Sequence, residues 1–345
     1  MWIIQEQLFT EPAKIAVKKA DIMKKLIFKS GILCLVLFCF ILSGCSADNK
    51  KENTGLKVVA VNFPCYDFAR AICGDRAEIK MIVRPGAEVH GYEPSLSDIV
   101  AIQEADIFIY GGGEGDIWVQ KILSSIDKSD LKTIALMDIP GLTLYKNETH
   151  SGFMADHDHH HSHHHSHTAS GFDEHVWTSP KNAIKIVNYF LAVFEETDSK
   201  NKDFYRNNAN EYIKKLNAID KNLENTVAMS KHKFIAVADR FPFVYMANDY
   251  DINYIAAFSG CSPESDAGPK VIANIIEEIN HHSIDRVFYI ELSNQKMADA
   301  ISEHTGAKKL LLHSCQNVTK DDFENGVTYV DLMNQNITNL KEALS

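Results

Sequence analysis

Apolar runs alternate with amphipathic segments over most of the chain after residue 55. Eight short apolar runs predict strands, four in each half of this region: 57–63, 78–83, 106–110, 132–137, 234–238, 254–258, 286–290 and 309–312. Segments with helical spacing lie between these runs, and strands that alternate with helices are typical of parallel sheets covered by helices on both faces. We therefore predict an α/β fold made of two (β/α) lobes.

One long segment joins the two predicted lobes. From Asp203 to Met229 apolar residues recur every three or four positions, which predicts a helix of roughly 27 residues, or about 40 Å. This helix divides the chain into an N-terminal lobe at 56–199, a linking helix at 200–230 and a C-terminal lobe at 231–345. Ligands of such sheets bind beyond the carboxyl ends of the strands, so we expect the functional site in the loops that follow them.

The first 44 residues resemble a bacterial lipoprotein signal peptide. Two lysines precede an apolar run at 31–42, which is short for a membrane span, and the run ends in a Leu-Ser-Gly-Cys sequence at Cys45. We predict that Cys45 is lipidated and that residues 45–55 tether the lobes to the outer face of the cell membrane. A plain secretory signal or a short membrane anchor is the alternative, and Met23 is an alternative start of translation.

Composition narrows the class of protein. The chain has 345 residues, of which 45% are hydrophobic and 23% charged, an ordinary globular composition with length enough for two domains. These values exclude a disordered chain, a fibrous chain and a small disulfide-dense protein. The formal net charge of −11 also argues against a nucleic-acid partner, which would favour a basic face.

Histidine is concentrated in one segment. Nine of the 16 histidines lie between His150 and His167, within a polar stretch at 150–170 that we predict to be a mobile loop. Clustered imidazoles bind zinc weakly, and we interpret eight of them as auxiliary ligands that gather zinc: His157, His159, His160, His161, His163, His164, His165 and His167. A solvated loop without a role is the alternative, while the Asp and Ser residues inside the run argue against a cloned affinity tag.

Two further histidines lie in loops of the N-terminal lobe. His90 comes after the second predicted strand, near Glu88, and His175 directly follows Asp173 and Glu174. Neutral imidazole is a common zinc ligand, and carboxylates often orient its second nitrogen. The pattern points to a metal site, although hydrogen-bonded or surface histidines explain it equally well.

Four motifs occur in order along almost the whole of the two lobes: Arg84-Pro-Gly with His90 and Tyr92-Glu-Pro-Ser, His175-Val-Trp with Ser-Pro-Lys-Asn-Ala183, Pro263-Glu264 with Pro269, and Leu332-Met with Leu340. Together they resemble the zinc/manganese substrate-binding lipoproteins of ABC importers. The resemblance implies two (β/α) lobes joined by a rigid helix, one metal ion in the cleft between the lobes, and delivery of that metal to an ABC permease. We also expect a monomer.

The resemblance implies four metal ligands. His90 and His175 match the two histidine ligands of the N-terminal lobe, whereas Arg240 stands where zinc members place a third histidine, and arginine cannot ligate a cation. Glu264 and His313, in loops after strands of the C-terminal lobe, complete the predicted site. Three nitrogens and one carboxylate favour Zn²⁺, with Mn²⁺ or Fe²⁺ as the alternative.

Other residues near the predicted site have less definite roles. We expect Asp239 to pair with Arg240. If Glu264 and His313 only support the site, Asp239 or water would complete the metal sphere instead, and we expect Glu291 to orient ligands. Cys261 and Cys315 lie in the same loops as the two predicted C-lobe ligands, where they could form a disulfide or supply a thiolate to a soft metal.

Motifs of hydrolysis and phosphoryl transfer do not occur in the sequence. We therefore predict a binding protein rather than an enzyme. A metallohydrolase that uses the same ligands is one alternative, and an adhesin or metal store with the same fold is another.

Overall fold

The computed structural model describes residues 23, 55–126, 129–146, 171–260 and 268–345. The N-terminal lobe is built on four parallel strands in the order β2-β1-β3-β4: β1 (Leu56–Ala60), β2 (Ala77–Met81), β3 (Ile107–Tyr110) and β4 (Lys132–Ala135). Four helices accompany them: α1 (Phe63–Cys73), α2 (Leu96–Glu104), α3 (Ile117–Leu123) and α4 (Pro180–Thr197). Strand order reverses between β1 and β3, the position at which open α/β sheets bind ligands.

The C-terminal lobe repeats this topology. Its parallel strands have the order β6-β5-β7-β8: β5 (Phe234–Phe241), β6 (Asn253–Ser259), β7 (Arg286–Tyr289) and β8 (Lys308–Leu311). Its helices are α6 (Val244–Tyr250), α7 (Pro269–His281), α8 (Lys296–Thr305), α9 (Lys320–Glu324) and α10 (Tyr329–Ala343). The predicted α/β class with two lobes is thereby confirmed.

The linking helix α5 (Lys202–Ala228) supplies one side of a core that the two lobes share. It packs against α1 and α4 of the N-terminal lobe and against α10 of the C-terminal lobe. Its buried face consists of residues at helical spacing, which a single hydrophobic cluster joins to both sheets: Tyr205, Ala209, Tyr212, Leu216, Ile219, Leu223 and Val227. The helix predicted at 203–229 is present, displaced by one residue.

Two details of the structure differ from the prediction. Strand β5 continues to Phe241, beyond the predicted end at Ala238, with a register shift between Val237 and Arg240. Arg240 therefore lies within a strand rather than in a loop. The periodicity also does not predict α3, α6 and α9, because one or two helical turns contain too few apolar positions to show a period.

Polar caps fix the helix starts nearest to the predicted metal loops. At the start of α2, the Asp98 carboxylate accepts from the backbone N–H of Ser95 at 3.0 Å. At the start of α4, the hydroxyl of Ser179 accepts from the N–H of Asn182 at 3.1 Å, and Pro180 occupies the first helical position. The loops that contain His90 and His175 therefore end at defined points.

One loop from each lobe joins in a set of hydrogen bonds that we call the interlobe clasp. The side-chain amide of buried Asn317 donates to the carbonyl oxygens of Arg84 and Ala87, at 2.9 and 2.8 Å. The N–H of Gly86 donates to the carbonyl of Val318 at 2.7 Å. The clasp fixes the loop that leads to His90 against the C-terminal lobe.

No helix within the described part of the chain is long and apolar enough to cross a membrane. The predicted signal peptide, apart from Met23, and the predicted lipidation site Cys45 lie outside the described residues.

The interlobe clasp predicts a stability effect at Asn317. Replacing Asn317 with Ala removes two part-buried hydrogen bonds between the lobes, so the free energy of unfolding should fall by about 2 kcal/mol. Urea denaturation of the metal-free protein measures this change. Asn334→Ala, which alters an exposed asparagine of α10, is the matched control and should change stability little; equal stability of the two variants would contradict the role of the clasp.

Candidate metal centre

His175 is held by the carboxylate two residues before it. One oxygen of Asp173, Oδ1, accepts from the backbone N–H of His175 at 2.8 Å and lies 2.9 Å from its ring atom Nδ1. Because a carboxylate can only accept, Nδ1 carries the proton, and the lone pair of the neutral ring is on Nε2. The ring is completely buried and has an edge-to-face contact with Trp177. The geometry presents Nε2 in one fixed orientation, which is the arrangement of a metal-binding histidine.

His90 has a similar carboxylate partner. Its Nδ1 lies 3.3 Å from Oε1 of Glu174, and the other oxygen of that carboxylate accepts from the N–H of Gly115 at 2.9 Å. Both oxygens of Glu174 are thus engaged. The Nδ1–Glu174 contact places the lone pair of neutral His90 on Nε2 as well.

Glycine is required in the loop after β3 at the positions that contact Glu174. A Cβ atom at Gly113 would lie 2.0 Å from Oε2 of Glu174, and one at Gly115 would lie 2.9 Å from its Oε1. The glycine-rich run after this strand is therefore needed for the close approach of the two loops.

The two histidine rings lie together, with centroids 5.6 Å apart and planes at 64°. His90, Glu174 and His175 each offer a donor atom such that all three atoms lie within 4.8 Å of one another. Within the described residues, no other group of three His, Cys, Asp or Glu side chains has its donor atoms within this distance of one another. Two neighbouring imidazole rings match the chemistry of a zinc site, in which neutral imidazole nitrogen is a common ligand.

Burial adjusts the charges around these histidines. Desolvation, reinforced by the neighbouring His175, lowers the pKa of His90 to about 4, so the ring is neutral at physiological pH. Burial raises the pKa of Glu174, and burial together with the charge of Glu174 raises the pKa of Asp116 to about 7. The centre therefore presents a neutral His90 to an incoming cation.

The structure does not bring His313 into the group. Its ring is buried, and Nδ1 accepts from the N–H of Cys315 at 2.9 Å. A neutral ring that accepts at Nδ1 carries its proton on Nε2, so neither nitrogen offers a lone pair to a metal in this arrangement. His313 does follow a strand, as predicted, and so lies at the end of the sheet where ligands bind. The hydrogen bond from the backbone N–H of Cys315 nevertheless fixes its tautomer.

Several predicted site residues lie outside the described part of the chain. These are Glu264, Cys261 and the histidine tract, with His157, His159, His160, His161, His163, His164, His165 and His167. Their roles stay predictions.

Arg240 has a different partner from the one predicted. Its guanidinium lies 3.0 Å from Oε2 of Glu88, across the two lobes, whereas we expected an ion pair with Asp239. Burial opposes ionisation of Glu88, but the hydrogen bond and charge of Arg240 outweigh it and lower the pKa of Glu88. Arg240 therefore ties the His90 loop to the C-terminal lobe.

The remaining predicted residues lie in the C-terminal lobe and are not part of the three-residue group. Glu291 accepts from the N–H of Ser314 at 2.8 Å and lies 3.7 Å from Nδ1 of His313. Burial raises the pKa of Asp239. Cys315 has a free, buried thiol rather than a disulfide bond, and burial raises its pKa, which disfavours the thiolate that would bind a metal.

The sequence identifies Glu174 only as an acidic neighbour of His175. The run Asp173-Glu174-His175 is the sequence feature that could have identified Glu174, because two consecutive carboxylates can contact two different partners. The first contacts His175 and the second contacts His90.

Comparison with solved structures gives the same architecture. The chain superimposes on the Zn(II)-bound ZnuA-like domain of AdcA from Streptococcus pneumoniae with a TM-score of 0.68 and 28% identity, over 84% of this chain and 99% of that one. It superimposes on the metal-dependent lipoprotein YcdH of Bacillus subtilis with a TM-score of 0.69 and 26% identity, over 84% of this chain and all of that one.

Curated relatives extend the comparison. The zinc-binding lipoprotein AdcA of Streptococcus pneumoniae TIGR4 is 33% identical over 316 residues, which is 91% of this chain but 60% of that protein, so the chain spans about three fifths of it. The high-affinity zinc uptake system protein ZnuA of Bacillus subtilis is 30% identical over 321 residues, 90% of this chain and 97% of that protein. The family model described as zinc-uptake complex component A, periplasmic, matches residues 58–343. The resemblance in the motifs is therefore confirmed, and the chain belongs to the ZnuA family.

Proposed function

We propose that this protein captures Zn²⁺ outside the cytoplasmic membrane and delivers it to the permease of an ABC importer. The observation that carries the proposal is the pair of histidines, His175 buried and His90 partly buried, each with Nδ1 against a carboxylate and each with its lone pair on Nε2. Membership of the ZnuA family and the names of the relatives support zinc as the cargo.

In the proposed site, His90 and His175 bind zinc through Nε2. Asp173 and Glu174 hold the two rings through Nδ1 and make them stronger donors. Glu264 stays a predicted further ligand.

The geometry favours a receptor over a hydrolase. A metallohydrolase needs a general base beside the metal-bound water. Glu174 lies 3.3 Å from His90, and its two oxygens already contact His90 and the N–H of Gly115. Asp173 lies 2.9 Å from Nδ1 of His175 and already accepts from the N–H of that residue. The two carboxylates that contact the histidines are therefore engaged in holding the rings.

Attachment to the outer face of the membrane through acylated Cys45 is part of the proposal. The apolar run at 31–42 and the Leu-Ser-Gly-Cys sequence support it. The name of the AdcA relative, a lipoprotein, is consistent with this.

Loss of one ring should abolish tight zinc binding. His90→Ala removes a nitrogen ligand, so zinc affinity, measured by competition with a chromophoric chelator, should fall by more than about 100-fold. The control is His304→Ala, which removes an exposed histidine of α8 and should leave the affinity unchanged. Tight zinc binding by His90→Ala would overturn the proposed site.

The buried state of His90 also predicts a pH dependence. In the unfolded chain the histidine binds a proton near its ordinary pKa of about 6.5, whereas in the folded metal-free protein it does so only near 4. The unfolded state therefore binds more protons between these values, and stability should fall as the pH decreases through this window. Between pH 7 and pH 5 the loss from His90 should be about 2 kcal/mol.

Urea denaturation at the two pH values, in wild type and His90→Gln, isolates this contribution. The variant has no titrating ring at position 90, so its stability should fall less over the same interval. The same loss in both proteins would show that His90 is not held in its neutral form.

Deleting residues 156–167 should change the number of bound zinc ions but not the tight site. Clustered histidines bind several ions weakly, so equilibrium dialysis should show fewer weak equivalents and one retained tight equivalent. A shuffled polar insert of equal length without histidine is the control. Disappearance of the tight site with the tract would contradict its auxiliary role.

A further inference from the structure

Asp116 directs its carboxylate back into the loop after β3. The residue stands immediately before α3, where an aspartate commonly caps the first N–H groups of its own helix. Among the described residues, its side chain makes no such capping bond. Its Oδ2 atom instead accepts from the N–H of Gly111 at 2.7 Å and from that of Gly112 at 3.1 Å. The carboxylate therefore closes the loop at 111–115, which we call the glycine loop.

The backbone of the glycine loop is held at both ends. The carbonyl of Gly111 accepts from the N–H of Met137 at 3.0 Å, and the N–H of Asp116 donates to the carbonyl of Gly113 at 3.2 Å. Between these bonds, Gly112 has a φ of 93°, in the region that favours glycine. Such a conformation persists where the surrounding bonds impose it. The two bonds that the Asp116 carboxylate accepts are therefore part of what keeps the loop in this shape.

The far end of the glycine loop faces the candidate metal centre. The N–H of Gly115 donates to Oε2 of Glu174 at 2.9 Å, and Oε1 of the same carboxylate lies 3.3 Å from Nδ1 of His90. A Cβ atom at Gly115 would lie 3.4 Å from that Nδ1. A change in the shape of the loop would thus reach Glu174 and the ring of His90 directly, with no other residue in between.

We infer that Asp116 is a positioning residue for the zinc ligand His90 and acts through Glu174. Asp116 shapes the glycine loop, the loop holds the Glu174 carboxylate, and that carboxylate sets the orientation and the tautomer of the ring. The inference rests on the proposed function and identifies a residue that orders its site without binding the metal.

A role in stability alone explains this placement less well. Asp116 is buried, and burial, followed by the charge of Glu174, raises the pKa of its carboxyl group to about 7. Two carboxyl groups close together in the interior oppose each other's ionisation, which costs free energy that a neutral side chain at position 116 would avoid. Local costs of this kind are typical of residues that order a functional site.

Zinc affinity of variants at position 116 tests the inference. Asp116→Ala removes the acceptor of both N–H groups, so zinc affinity, measured by competition with a chromophoric chelator, should fall about tenfold or more. Asp116→Asn should recover most of this loss, because an amide oxygen can accept the same two bonds. Asp130→Ala, which alters an exposed aspartate before β4, is the matched control and should leave the affinity unchanged. Equal losses in Asp116→Asn and Asp116→Ala would overturn the inference.

A double-mutant cycle tests whether Asp116 acts through Glu174. In a Glu174→Ala background the glycine loop has no carboxylate to hold, so adding Asp116→Ala should lower zinc affinity by less than about twofold. Additive losses would overturn the inference. Long-range ¹H–¹⁵N spectra of the metal-free protein add a second measurement, with the His90 signals assigned from His90→Gln. Asp116→Ala should increase the fraction of His90 that carries its proton on Nε2, and an unchanged tautomer would also overturn the inference.

Failure of this inference can be distinguished from failure of the proposed function. Unchanged zinc affinity in Asp116→Ala, with zinc lost by His90→Ala, would overturn the inference and leave the proposed function intact. Tight zinc binding by His90→Ala would instead overturn the proposed function itself. If Asp116→Ala does not fold, Asp116→Ser, whose side chain is too short to reach both N–H groups, takes its place in each measurement.

Discussion

The contact between a carboxylate and Nδ1 of a histidine determines what the rest of this centre can do. A neutral imidazole has one proton and one lone pair, so committing Nδ1 to Asp173 or Glu174 forces the lone pair of His175 or His90 onto Nε2. Since burial keeps His90 neutral, neither a proton nor a change of tautomer has to precede metal binding. The cost of ordering the ligands is met during folding, before a cation arrives.

Such carboxylates are tolerated in the interior because backbone N–H groups solvate them. Asp173 accepts from the N–H of His175, and Glu174 accepts from the N–H of Gly115. Without these donors, burial would favour protonated carboxyl groups, which would no longer hold the rings in the same way. The glycines after β3 and the cap at Ser179 therefore serve the metal centre, although none of them contacts a metal.

Sequence pattern predicts those parts of the structure that depend on local periodicity. The eight strands, the long helix and the loop positions of His90 and His175 follow from runs and spacings within single segments. Contacts between distant segments do not: Glu174 meets Gly115 and Gln316 meets His90 only because loops of separate elements converge. His313 shows the same limit, since its place after β8 is visible in the sequence but the backbone donor that fixes its tautomer is not.

The interlobe clasp affects how a metal ion could reach His90. Separating the lobes along this side would break the two bonds of the Asn317 amide, the bond from Gly86 to Val318 and the bond from Phe63 to Gln316. At about 1 kcal/mol each, these four bonds resist opening by roughly 4 kcal/mol. The side-chain amide nitrogen of Gln316 lies 3.2 Å from Nε2 of His90, and rotating this amide breaks one contact and leaves the clasp intact. Moving this one side chain is therefore a less costly way to free Nε2 of His90 than separating the lobes.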